Sequence, residues 1–172
     1  RPWAIPGTPG LEHRIGGLEK EHLTGNISYD PDNHDFMIKL RAAKIEGIAN
    51  DIPLQQIEGD QEGELLVVGW GGTYGSIKSA VTEARSKGLS VSHIHIKYLN
   101  PFPHNLGEIL YKFKHVLVPE INNGPLLKLL RDKYLVPAVG FNVIKGLPLR
   151  AEDIQEKIES YFGSNNAGGN NG

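Results

Sequence analysis

Cysteine is absent from all 172 residues, so the chain can form no disulfide, no thiolate metal site and no iron–sulfur cluster of its own. Any redox chemistry this protein serves must sit on another chain. An excess of one charge is also lacking, because 18 basic and 20 acidic residues leave a formal net charge of −2. That balance gives no field for nucleic acid or an anionic membrane, and neither is expected as a partner. Long apolar runs are missing as well, and nothing approaches the roughly eighteen residues of a membrane span. The chain opens Arg1-Pro2-Trp3 without an initiator Met, a signal core or an amphipathic targeting segment. It therefore reads as a piece of a cytoplasmic protein, long enough for one good core and an appendage.

Glycine and proline are plentiful but unevenly placed. Pro2, Pro6, Pro9 and Pro31 with Gly7, Gly10, Gly16, Gly17 and Gly25 punctuate the first third too heavily for long regular elements. Residues 1–50 are expected to form a linker arm with one helix. That helix is capped near Asp30-Pro31-Asp32-Asn33 and carries Phe36, Met37, Leu40, Ala43, Ile45 and Ile48. An arm this long needs a surface to lie against, and in isolation it is expected to be largely disordered. Residues 163–172, rich in Gly and Asn, read as a disordered tail.

Between them, residues 51–162 follow the grammar of a parallel α/β sheet. Leu65-Leu66-Val67-Val68 is an apolar run too short for a core helix, and Gly69-Trp70-Gly71-Gly72-Thr73-Tyr74-Gly75 follows it directly. A helix from near Ser76 places Ile77, Ala80, Val81 and Ala84 on one face and closes at Gly88. Val91 to Ile96, His115 to Pro119 and Ala138 to Ile144 are the further strands. Helices are expected around Leu106–Leu110, over Pro125–Tyr134 and over Ala151–Phe162. Leu54 to Glu58 adds a short edge strand.

Four glycines in seven residues at a strand's carboxyl end let a backbone approach a ligand and aim its N–H groups outward. Gly71, Gly72, Thr73, Tyr74 and Gly75 are therefore candidates for an anionic site. A tight strand-to-helix turn with no ligand explains the same glycines equally well. The full GxGxxG is not present, and the strand ending at Ile96 runs on into Lys97-Tyr98-Leu99-Asn100 instead of a ribose-binding carboxylate, so nicotinamide binding is not expected. Glu120 lies past a strand's carboxyl end at the same edge and is the best single polar candidate. Capping of the adjacent turn, or pairing with Arg131, is its structural explanation. His93 and His95 share one face of their strand, but no third metal ligand stands nearby. No Gly-x-Ser-x-Gly and no Cys nucleophile support a hydrolase.

The ordered set Val-Gly-Trp-Gly-Gly-Thr-Tyr-Gly (68–75), Tyr-Leu-Asn-Pro-Phe-Pro (98–103) and Leu-Val-Pro-Glu-Ile-Asn (117–122) resembles one family. It is similar to the C-terminal part of the alpha subunit of 2-oxoacid:ferredoxin oxidoreductases, the 2-oxoglutarate type in particular. The arm agrees through Pro6-Gly7-Thr8, Gly17-Leu18-Glu19 and Asp30-Pro31-Asp32-Asn33-His34. The resemblance implies a transketolase C-terminal-like domain, three layers α/β/α around a mostly parallel five-stranded sheet with Leu54–Glu58 antiparallel. It further implies a whole enzyme that uses thiamine diphosphate with Mg²⁺ to decarboxylate a 2-oxoacid. That enzyme passes electrons through an iron–sulfur cluster to ferredoxin and transfers the acyl group to coenzyme A.

No thiamine diphosphate motif lies in this segment, so it is expected to bind no cofactor alone, to contain no catalytic residue and no metal ligand, and to be inactive in isolation. Its partners would be the rest of the alpha subunit and the catalytic beta subunit. Its task would be assembly and the wall of an active site, with Glu120, Asn122, Asn33, His34 and the glycine turn as ligand or interface candidates. Two departures limit the transfer. Pro125 replaces a Gln that relatives carry, and Lys20-Glu21-His22 stands where relatives often have His-Asp-Glu, so no substrate role passes to His22. The competing expectation is an autonomous phosphate- or nucleotide-binding module using the Gly69–Ser76 turn.

Overall fold

The computed structural model describes residues 4–13 and 16–163. Trp3, Ile15 and the tail from Ser164 onward lie outside them. The chain divides into two compact units, Arg1–Ile48 and Ala49–Gly172.

The first unit is held by polar contacts. Asp30 accepts from the Asp32 amide at 2.9 Å and caps helix α1 (Pro31–Gly47), whose first residue is a proline that needs no N–H partner. Ahead of it, Lys20 and Ile27 form an antiparallel bridge, closed by Glu21 N–H to the Asn26 carbonyl at 2.8 Å and turned at Gly25. The arm is thus a small hairpin followed by a helix. No residue of α1 is buried.

The second unit is a doubly wound sheet. Strands β1 (Gly63–Trp70), β2 (Val91–Ile96), β3 (Phe113–Glu120) and β4 (Val139–Asn142) lie in the order β2-β1-β3-β4, and every pairing is parallel. Helices α2 (Tyr74–Ser86) and α5 (Ala151–Gly163) cover one face, where Ile77, Ala80, Ala84, Ile154 and Ile158 pack on Leu65, Val67, Val91 and Leu117. Helices α3 (Leu106–Tyr111) and α4 (Pro125–Tyr134) cover the other. There Leu106, Leu110, Leu126 and Leu130 meet Leu66, Val68, Ile94 and Val118. Alternation along each strand supplies both faces, so the inner strands read as unbroken apolar runs.

The expected fifth strand is a correction. Leu54–Glu58 contributes only one antiparallel bridge, Glu58 to His93, with hydrogen bonds of 2.8 and 2.9 Å. The reason is local competition, because the Asn105 side chain accepts from the Gln55 amide and donates to its carbonyl, both at 2.9 Å. Those backbone groups are satisfied without a ladder. The α/β fold with a parallel sheet is as expected, with four strands.

Candidate functional site

In an open α/β sheet the ligand crevice opens outside the carboxyl ends of the strands where the winding reverses. Here β1 leads through α2 to β2 on one side, and β2 leads through α3 to β3 on the other. The switch point therefore falls between β1 and β3, at Trp70 and Glu120.

That crevice is closed from within. Glu120 is completely buried. Its Oε1 accepts from the Trp70 indole N–H at 3.1 Å and from the Leu126 amide at 3.1 Å, and its Oε2 accepts from the Leu127 amide at 3.2 Å. Helix α4 starts with Pro125, which has no N–H, so Glu120 takes the first two backbone donors the helix has to offer. The carboxylate occupies the place a bound anion would take at a helix N-terminus. Asn122 builds the turn between them. Its Oδ1 accepts from the Gly124 amide at 3.0 Å, and its carbonyl accepts from the Asn142 side chain at 2.8 Å. Gly124 has φ of 76°, which a side chain would resist. Arg131, the other partner considered for Glu120, instead donates through Nε to the Ala138 carbonyl at 2.8 Å.

The glycine turn divides into parts with different duties. Gly69 is still within β1, paired with His95. A Cβ there would lie 2.6 Å from Ile77 Cδ1 and 3.1 Å from His95 Nδ1, so close packing explains this glycine. Thr73 is buried, and its hydroxyl accepts from Trp70 N–H at 3.2 Å and donates to the Trp70 carbonyl at 2.8 Å. Gly71, Gly72 and Gly75 are exposed, with open space where their side chains would be. Only Gly71 needs glycine for its backbone, at φ of 57°.

Tyr74 turns away from this bend. Its hydroxyl donates to Glu58 at 3.0 Å and accepts from Lys78 at 2.8 Å, while its ring covers His93 and His95 at centroid distances of 5.7 and 5.1 Å. His93 is 1% exposed, and neither ring nitrogen has a hydrogen-bond partner. Burial holds its pKa down at about 4, so the ring is neutral at pH 7. It borders a cavity of ≈ 170 Å³ shared with Glu58, Lys78, Thr82 and Arg85. Burial also lowers the His95 pKa, opposed by a hydrogen bond to the Gly71 backbone. Among the described residues no group of three or more His, Cys, Asp or Glu can hold a metal ion.

Within the first unit, Asn33 and His34 belong to the frame of the arm. Asn33 donates to the Lys20 carbonyl at 3.1 Å. The His34 ring meets Glu19 at 2.8 Å, and the same carboxylate accepts from Arg41 at 3.1 and 3.3 Å. The two basic partners hold the Glu19 carboxyl at a pKa of about 2. In the sequence Glu19 stands out only as part of the Gly17-Leu18-Glu19 stretch of the family resemblance, with no role of its own. Its role as a hub depends on contacts 15 and 22 residues away.

Fold and site together define a doubly wound α/β domain whose switch-point crevice is filled by its own carboxylate. Residues 63–148 match the family described as pyruvate:ferredoxin oxidoreductase core domain II, and the chain belongs to that family. It is 51% identical over 161 residues to the 2-oxoglutarate oxidoreductase subunit KorA of Mycobacterium tuberculosis, covering 93% of this chain and 24% of that protein. It is 32% identical over 127 residues to the 2-oxoglutarate synthase subunit KorA of Methanocaldococcus jannaschii, covering 71% and 34%. The 2-oxoglutarate:ferredoxin oxidoreductase from Magnetococcus marinus, solved with 2-oxoglutarate, coenzyme A and succinyl-CoA bound, superposes with a TM-score of 0.84. That match has 29% identity and covers 93% of this chain and 28% of that one. The chain thus spans about a quarter to a third of these relatives. Among the described residues no helix is long and apolar enough to cross a membrane.

Proposed function

We propose that this chain is a non-catalytic domain of the alpha subunit of a 2-oxoglutarate:ferredoxin oxidoreductase. It serves subunit assembly and walls an active site built by other parts of the enzyme. The whole enzyme, on this reading, oxidatively decarboxylates 2-oxoglutarate with thiamine diphosphate and Mg²⁺. It transfers the succinyl group to coenzyme A and passes the two electrons through an iron–sulfur cluster to ferredoxin. The residues of this chain do not fit the cluster or the metal ion. It has no cysteine for a cluster and, among the described residues, no ligand set for a metal ion. No step of the chemistry is therefore assigned to it, and its partners are the rest of the alpha subunit and a catalytic beta subunit in the cytoplasm.

The observation that carries this reading is the Glu120 carboxylate in the crevice between β1 and β3. An anion bound at the N-terminus of α4 would need the Leu126 and Leu127 amides free, and here both are engaged. Asn33, His34, Asn122 and the exposed glycines Gly71, Gly72 and Gly75 are interface positions on this reading.

Calorimetric titration of the isolated chain with coenzyme A and, separately, thiamine diphosphate tests it. No binding heat is expected from either. Saturable binding abolished by Gly72→Val, a position with open space and no left-handed backbone, would replace the assembly reading with an autonomous ligand-binding module. Coenzyme A-dependent ferredoxin reduction by the assembled enzyme, with 2-oxoglutarate preferred over other 2-oxoacids, tests the activity itself.

A further inference from the structure

Helix α1 carries two apolar lines. Phe36, Leu40 and Ala43 follow one another at i, i+4 and i+7, while Ile38, Ala42 and Ile45 form a second line roughly half a turn away. The large side chains of both are far from buried, with Phe36 47%, Leu40 39%, Ile38 48% and Ile45 40% exposed. The hairpin covers only part of one line, where the His22 ring meets the Phe36 ring edge-on at a centroid distance of 4.9 Å. It holds the helix between the two lines through Lys20 to Asn33 and through Glu19 to His34 and Arg41. The sector opposite the hairpin is charged and includes the Lys39–Asp35 ion pair at 2.6 Å. An amphipathic helix lying on one body shows a single apolar stripe. Two stripes separated by a charged sector on one side and a polar clamp on the other require an apolar wall on each flank.

The occupant follows from the length of the relatives. Three quarters of the mycobacterial subunit lies outside this chain. The Magnetococcus match covers 93% of the chain, so it leaves out only about a dozen residues and includes most of the first unit. The arm therefore has a counterpart of the same form within a complete enzyme, although its helix buries none of its own side chains. Resting on the functional reading above, we propose that α1 is a wedge, with both apolar lines covered by the remainder of the same subunit. The polar clamp around Glu19 presets the helix so that little ordering is left to be done when the walls close on it.

Hydroxyl-radical footprinting read by mass spectrometry tests this, comparing the 172-residue chain with the full-length subunit in its complex. Oxidation at Phe36 and Leu40 and at Ile38 and Ile45 is expected to fall about fivefold or more in the complex, as for side chains moving into an interface core. Leu40→Asp and Ile45→Asp, one on each line, are each expected to cut complex yield severalfold and leave the circular dichroism of the isolated chain unchanged. Either line oxidised at the same rate in chain and complex would overturn the wedge. So would protection of the chain alone that grows with its concentration, since a second copy would then be the occupant. Ferredoxin reduction measured on the same preparation separates the two claims. Protected lines in a complex without that activity would sink the functional reading alone, and unprotected lines in an active enzyme would sink the wedge alone.

Discussion

Glu120→Gln changes one oxygen to an amide nitrogen inside a site that supplies only donors. The retained Oε1 can still accept from the Trp70 indole and the Leu126 amide, but the new NH₂ faces the Leu127 N–H, donor against donor. The variant loses one charge-assisted bond, of about 1.5–3 kcal/mol. It also loses the attraction of a buried anion for the N-terminus of α4, up to about 2 kcal/mol. A loss of about 2–4 kcal/mol is expected, against a total of about 5–15 for a domain of ordinary stability. Glu120→Leu strands all three donors and should cost more, enough to unfold a marginal domain. Urea titration followed by tryptophan fluorescence reads this as a lower midpoint at unchanged slope. The reasoning is refuted if Glu120→Gln unfolds within about 0.5 kcal/mol of the parent, the range of an ordinary surface change.

Acid should weaken the sheet domain before its carboxylates titrate. The His93 pKa is about 4 in the fold and 6.5 when unfolded, so below pH 6.5 only the unfolded chain takes up the proton. Stability falls by up to about 3 kcal/mol between pH 6.5 and about 4. The fall from pH 6.5 to 5 should flatten in His93→Phe, measured by urea midpoints across that range. The depressed Glu19 carboxyl acts lower down, so its stabilisation of the arm is complete above pH 4.5 and lost as pH falls through about 2. Glu19→Gln should speed amide exchange at Ser28 and His34 at pH 7 without altering exchange in β1. Gly69→Ala drives a methyl to within 2.6 Å of Ile77 Cδ1 and should cost about 1–3 kcal/mol, read as a lowered melting temperature.

Local signals made much of this fold legible. The apolar spacing of Ile77, Ala80, Val81 and Ala84 marks α2, and Pro125 marks the start of α4 to the residue. Strand ends were harder. Gly69 and Trp70 look like turn residues, yet pairing with His95 and Ile96 carries β1 through both. Leu54–Glu58 has the length of a short edge strand, but the side-chain amide of Asn105, fifty residues on, takes its backbone bonds. Glu120 was legible as a polar residue at the right edge and as a possible cap. Its second anchor, the Trp70 indole, lies fifty residues earlier and comes near only through the β1–β3 pairing. The apolar residues of α1 were readable, but nothing local distinguishes a helix that covers a core from one that waits for cover.

Helix α5 carries a consequence for where this domain can be cut. The family match stops at residue 148, before α5 begins, yet Ile154 and Ile158 are fully buried against the β1 face. A fragment ended at the family boundary would leave Leu65, Val67 and Ile77 open to water on one side of the sheet. Such a fragment should express as aggregate, whereas one carried through Phe162 should remain soluble. The smallest autonomous piece is therefore set by packing and extends a full helix beyond the segment that sequence similarity outlines.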